Sequence, residues 1–344
     1  MRRLFRASFP FALVVLAVSA QAAPLTLSPV GAPVPGQAPV GIATSTFGRD
    51  TYVAIADYDG NELRHTRLDK TTGTLTPVGA VPIPNKPSAV ARSHKGPFLL
   101  VTTEDGDDVR TVRIDRTSGL LTLVGGSVPS GGLDPVNLDV GKRGHAIIAN
   151  KASSTLGVVK IDSKTGTLSP VGAPVPVGAG PNDVKVSGKH VVVGTAVSNE
   201  VQLLRLDHRT GSLVPVDVKS VGASRVTGIT VKGNLVIAGT IAGDVHAFQI
   251  GSKGLKPLGA HPSGGDITDV ALAPSGWLFV AGGLPGRLSA FTFDKKRGLE
   301  DESTLDLEPF RSRTIATVKG KKGATFVIEN EFQGDQTLVV SAKR

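Results

Sequence analysis

Asn137, Asn182, Asp183, Arg225, Asp266, Asp269, Arg311 and Arg313 are the side chains of this sequence best suited to hold a small polar molecule. An amide donates and accepts, a carboxylate accepts or takes up a proton, and a guanidinium presents a planar fork of donors to an anion. They are scattered along the chain, so only a fold that gathers these positions can make them a site.

Other familiar chemistries find no support. No Gly-x-Ser-x-Gly elbow presents a serine nucleophile. The histidines His65, His94, His145, His190, His208, His246 and His261 show no metal-ligand spacing, and without cysteine there is no thiolate ligand. Asp57-Tyr58-Asp59-Gly60-Asn61 and Glu104-Asp105-Gly106-Asp107-Asp108 alternate oxygen ligands but complete no calcium loop, and they read as acidic turns. Gly282-Gly283-Leu284-Pro285-Gly286 opens no helix, which excludes a phosphate loop. The expectation is a protein without metal or cofactor.

What can gather the polar set is a repeat. Val158 to Gly172 is one copy of a phrase: an apolar strand ending in Asp162, a turn closing on Gly166, and a second strand running Leu168-Ser169-Pro170-Val171. The turn glycines Gly73, Gly119, Gly166, Gly211, Gly254 and Gly298 are spaced by 46, 47, 45, 43 and 44 residues. Between them lie four short β-branched segments per unit, bounded by Gly, Pro, Asn or Ser, which is the pattern of an antiparallel meander. Four strands at this period predict a propeller blade. Inner strands are predicted to start near Val40, Ser88, Val136, Asp183, Val226, Ile267 and Arg313, making seven units.

The fold class expected is therefore all-β: a single seven-bladed propeller over residues 23–344, built from four-stranded antiparallel blades. The seventh unit runs out after its third strand, and Leu25-Thr26-Leu27-Ser28-Pro29-Val30-Gly31 repeats the missing fourth. The N-terminal strand is thus expected to close blade seven and leave only short strand edges.

In such a ring the candidate residues fall at or beside inner-strand starts, around the mouth of the central channel. Loops on that rim carry Asp57, Glu104, Asp105, Asp108, Glu200, Glu329 and Glu331 among others, so an acidic, mixed-charge mouth is expected. Hairpins on the opposite face carry about half of the basic residues, among them Lys95, Lys164, Lys189, Lys296 and Arg297. Weak contact of this basic underside with an anionic surface is one consequence. Sequence-specific nucleic-acid binding is not expected, because no aromatic platform interleaves the charges.

Arg2, Arg3 and Arg6, the apolar run from Phe9 to Val18 and Ala20-Gln21-Ala22 follow the three-part plan of a secretory signal. Cleavage after Ala22 would reduce the net charge from +9 to +6. With no cysteine to bridge, this fits a monomeric periplasmic or secreted bacterial protein stabilised by packing alone.

Tyr52-Val53-Ala54-Ile55, with Asp59-Gly60-Asn61-Glu62-Leu63 behind it, and Phe326-Val327-Ile328-Glu329-Asn330 resemble the YVTN-type repeats of seven-bladed propellers. The phrase Asp-x-x-Thr-Gly-x-Leu-x-x-Val is similar to that of lactonase-type propellers, which include 6-phosphogluconolactonase and fungal carboxymuconate cyclases. The resemblance covers the whole chain after the leader and implies opening of a lactone ring. Where the family's enzymes show Pro-Arg-His at an inner-strand start, this chain has Pro181-Asn182-Asp183. Lactonase chemistry would fall instead to Asp183, Glu200 and Arg225. The first functional expectation is an exported propeller that binds a small ligand or a protein partner at the channel mouth, and a lactonase-type hydrolase is the alternative.

Overall fold

A computed structural model describes residues 25–283, 286–295, 298–307, 312–331 and 333–343. The expected leader, Lys296, Arg297 and Arg311 lie outside these residues. All regular structure described is strand, arranged as seven antiparallel sheets. The inner strands are Pro39–Phe47, Pro87–Arg92, Pro135–Val140, Pro181–Ser187, Val226–Lys232, Asp269–Leu272 and Ser312–Lys319. Each touches the inner strands of the two neighbouring blades, and the last returns to the first, so the sheets form a closed ring around a channel.

Apolar residues occupy both faces of the middle strands because each blade is covered on both sides. The core accordingly divides into seven clusters, one between each pair of neighbouring blades. Between blades one and two, for example, Val40, Ala54, Ala56 and Leu63 meet Val90, Leu99, Val101 and Val112. A blade cut from the ring would expose both of its faces, which is why the repeats must stack to be stable.

The repeated turn glycine serves the same interface. Gly166 lies at φ +83°, and a Cβ there would stand 2.7 Å from the ring of Phe98 on the preceding blade. Gly119 and Gly73 meet Tyr52 and Phe326 in the same way. The turn aspartate beside each glycine shapes the loop: Asp162 Oδ1 accepts hydrogen bonds from the backbone N–H groups of Lys164 and Thr165 at 2.8 and 2.9 Å, and Asp69, Asp115 and Asp207 repeat the pattern.

Closure follows the sequence. Thr26–Pro29 pairs with Gln336–Lys343 as the fourth strand of blade seven, and Val34–Pro35 extends that pairing. Residues 27–35 and 168–176 are the same nine residues, Leu-Ser-Pro-Val-Gly-Ala-Pro-Val-Pro. Both make two short strands around a glycine of positive φ, Gly31 and Gly172. Identical local sequence thus does the same task twice, once within blade three and once across the chain ends.

Candidate functional site in the central channel

The ladder joining first and second strands slips by one residue at the start of six of the inner strands, after Pro39, Pro87, Pro135, Pro181, Val226 and Ser312. The extra residue is left out of the ladder, as in a β-bulge. In blades two, four, five and seven that residue is Ser88, Asn182, Thr227 and Arg313, and each lines the channel. One and three residues beyond the slip, Asn137 and Asp139 in blade three and Asp183 and Lys185 in blade four line the channel further in.

The channel cavity measures about 690 Å³ and runs from the rim residues Lys151, Val197, Arg225, Ile241 and Arg313 down to Arg92 and His94. Of the candidates, Asn137, Asn182, Asp183, Arg225, Asp269 and Arg313 line it. Asp266 does not, since its Oδ1 accepts from the Gly283 N–H at 2.9 Å. Glu200 is also absent from the lining: it starts the third strand of blade four and accepts from Gln202 Nε2 at 2.8 Å. The trio Asp183, Glu200 and Arg225 is therefore not brought together.

Few of the acidic loop residues line the cavity itself. Among the described residues, only Asp183 and Asp269 of the acidic rim set reach the cavity. Asp57 is buried against Arg64, with Nε to Oδ2 at 2.8 Å, and Asp108 pairs with Arg110. Loop order places the turn acids near the rim but does not say which way a side chain turns. Of the charged residues that line the cavity, Lys151, Arg225 and Arg313 stand at its mouth and Asp139, Asp183, Lys185 and Asp269 further in, while Glu104 stands within electrostatic reach of Lys151 outside the lining.

Sequence reasoning missed two of those lower residues, Asp139 and Lys185. With Asp183 and Asp269 they form a polar cluster inside the channel. Lys185 Nζ lies 2.5 Å from Asp183 Oδ1. Asp183 Oδ2 accepts from the Ile229 N–H at 2.6 Å, Asp139 Oδ2 from Val186 at 2.7 Å and Asp269 Oδ2 from Ile315 at 2.9 Å. Each of these bonds crosses to the inner strand of the next blade, so each carboxylate also staples the ring. The available signal was the alternation in Asn137-x-Asp139 and Asp183-x-Lys185, which puts both members of each pair on one face of a strand.

Three carboxylates and one ammonium share this space. Burial pushes Asp139 and Asp269 up. Repulsion from Asp183 adds to the rise at Asp269, which reaches about 7 although Lys185 opposes it. Burial works against the charge of Lys185, but Asp183, Asp269 and Asp139 outweigh it and hold the ammonium above its usual range. Asp269 is thus a channel carboxylate poised near neutrality, the property of a group that exchanges a proton. Among the described residues no group of three His, Asp or Glu is arranged to hold a metal ion.

Residues 81–186 match the family model of seven-bladed β-propeller lactonases. The chain is a seven-bladed β-propeller, and about a third of it matches that family model. This propeller is similar in fold to a Bacteroides fragilis protein provisionally named 6-phosphogluconolactonase, at 18% identity and a TM-score of 0.71 over 86% of this chain and 94% of that one. A Bacteroides uniformis protein of the same provisional name gives 16% identity and a TM-score of 0.68, covering 78% of this chain and 85% of the other. A Lactobacillus plantarum protein gives 17% and 0.66, with 76% and 83% covered. At these identities the likeness is one of fold. No curated protein matches the chain.

Proposed function

We propose that the upper channel binds a small polar ligand carrying a negative charge. The observation that carries this reading is the layering of the cavity, with Lys151, Arg225 and Arg313 at the rim above Asp139, Asp183, Lys185 and Asp269. A ligand with an anionic end and several hydroxyls answers both layers: its charge meets the arginines while its donors meet the carboxylates. Asn137 and Asn182 stand between, and Asn182 Nδ2 already donates to the Thr227 carbonyl at 3.0 Å, which holds it in place. The leader sequence supports export as the setting.

Lactone hydrolysis is the second reading, and the position of Asp269 favours it. As a carboxylate it would take a proton from a water whose oxygen attacks the lactone carbonyl. The ring C–O bond then breaks, the departing oxygen is protonated, and a hydroxy acid results. Asp183 is tied to the Lys185 ammonium, whereas Asp269 accepts only from the backbone N–H groups of Val270 and Ile315, so the base role passes to Asp269.

Calorimetric titration with sugar acids and their lactones tests the first reading. Arg225→Ala is expected to weaken binding at least tenfold. Binding that is absent from the wild type, or unchanged in this variant, overturns the site. For hydrolysis, acid release should increase with pH through about 7, as Asp269 loses its proton, and vanish in Asp269→Asn. No turnover of any lactone removes the second reading and leaves the first.

A further inference from the structure

The lower end of the channel is built unlike its mouth. Arg92 and His94 line both the exit of the central cavity and a second pocket of about 520 Å³, completed by Thr46, Phe47, Gly48 and Arg116. Phe47 ends the inner strand of blade one and Arg92 ends that of blade two, while Arg116 comes from the outer hairpin of blade two. The guanidinium carbons of Arg92 and Arg116 lie 5.3 and 5.5 Å from the centroid of the Phe47 ring. One aromatic ring thus gathers two like charges.

That arrangement is half of an ion pair. Among the described residues no carboxylate lies within ion-pair range of either arginine, whereas Arg64 and Arg110 each have an aspartate. The Nε of Arg92 is buried and has no hydrogen-bond partner. Attraction to the ring holds a guanidinium but leaves its in-plane donors unused. A buried donor without a partner costs stability, and repulsion between the two arginines adds to the cost. An anion with several acceptor oxygens removes both penalties by taking donors from each fork.

We propose that this underside pocket is a receptor for an oxyanion of the phosphate or sulfate type, distinct from the ligand site at the mouth. Its walls come from two blades, and the two guanidiniums gathered on Phe47 give the anion one place instead of the whole basic face. Gly48 has no heavy atom within 4 Å of where a Cβ would stand, which leaves the pocket open to a substituent on the anion. Free phosphate, a phosphomonoester and a phospholipid headgroup share the required chemistry.

Calorimetry on the chain without its leader, at low ionic strength, uses inorganic phosphate and sulfate as probes and chloride as the control. One site is expected, weakened at least tenfold in Arg92→Gln and in Arg116→Gln, and less in Arg92→Lys, which keeps the charge but loses the fork. Arg116 is exposed, so its replacement leaves the fold intact even if that of Arg92 does not. Lys253→Ala, in an exposed hairpin of blade five on the same face, should bind phosphate as the wild type does, which separates the pocket from the summed charge of the basic face. Co-sedimentation with phosphatidylglycerol vesicles tells the sources apart. Vesicle binding lost in Arg116→Gln marks a headgroup as the ligand, and vesicle binding that is unchanged while phosphate binding is lost marks a free oxyanion. Absence of phosphate and sulfate binding in the wild type, or its retention in the double glutamine variant, overturns the proposal.

Discussion

A carboxylate inside a propeller wall has two ways to be satisfied, and this chain shows both and one failure of both. Asp183 has an ammonium on one oxygen and a backbone N–H on the other, while Asp269 has N–H donors on both oxygens and shares Lys185 at longer range. Glu329, on the second strand of blade seven, has neither. It is fully buried, and its two oxygens lack hydrogen-bond partners among the described residues. Burial pushes it up to about 8, with the nearby Ser312 hydroxyl opposing and Glu331 adding to the rise. The group is therefore neutral in the folded protein at pH 7. An unfolded chain releases this proton near pH 4.5, so between there and about 8 the unfolded state binds fewer protons and stability falls as pH rises. Glu329→Gln should remove that slope. Denaturant titrations at pH 5 and pH 8 are expected to differ by about 2–5 kcal/mol more in the wild type than in the variant. Equal pH dependence in the two proteins would show that Glu329 is ionised in the fold.

At the scale of the element, the glycine hairpin joins a backbone requirement to a packing requirement. Gly166 needs both a left-handed φ and space for Phe98, whereas Gly172 at φ +64° has nothing within 4 Å of its missing Cβ. Gly166→Ala should cost about 2–4 kcal/mol, the sum of the left-handed penalty and the displaced ring. Gly172→Ala should cost about 1–2 kcal/mol, the first term alone. Urea unfolding of both variants checks this, and equal losses would mean that the ring moves aside freely. The hairpins were legible from sequence because glycine, aspartate and threonine act over a few residues, and the Asp162 side chain bonds to N–H groups only two and three positions on. Channel-facing residues were legible only in part. Asn137, Asn182 and Asp183 follow from the inner-strand starts, but Asp139 and Lys185 required the bulge that decides which face of the strand looks inward.

For the molecule as a whole, the ring is held shut by two short N-terminal strands. Thr26–Pro29 and Val34–Pro35 cover the edge of Gln336–Lys343, and Leu25 and Val34 are buried in clusters shared with neighbouring blades. Removing residues 25–36 strips that edge and those contacts. The melting temperature should drop by roughly 5 °C or more, with higher oligomers on gel filtration as the bare strand pairs with another chain. An unchanged melting curve would mean that blade seven is complete without the N-terminus.

The sequence by itself determined the number of blades, the four-strand plan, the glycine turns and the strand that closes the ring. These depend on period, turn chemistry and alternation, which are local and repeat seven times. Only the tertiary structure decided that Glu200 and Asp266 turn away from the channel while Asp139 and Lys185 turn into it. It also decided that Lys151, Arg225 and Arg313 line the cavity above Asp139, Asp183, Lys185 and Asp269, and that Phe47 brings Arg92 and Arg116 together. Those features depend on side-chain direction and on contacts between blades about one repeat apart, where no local pattern constrains the outcome.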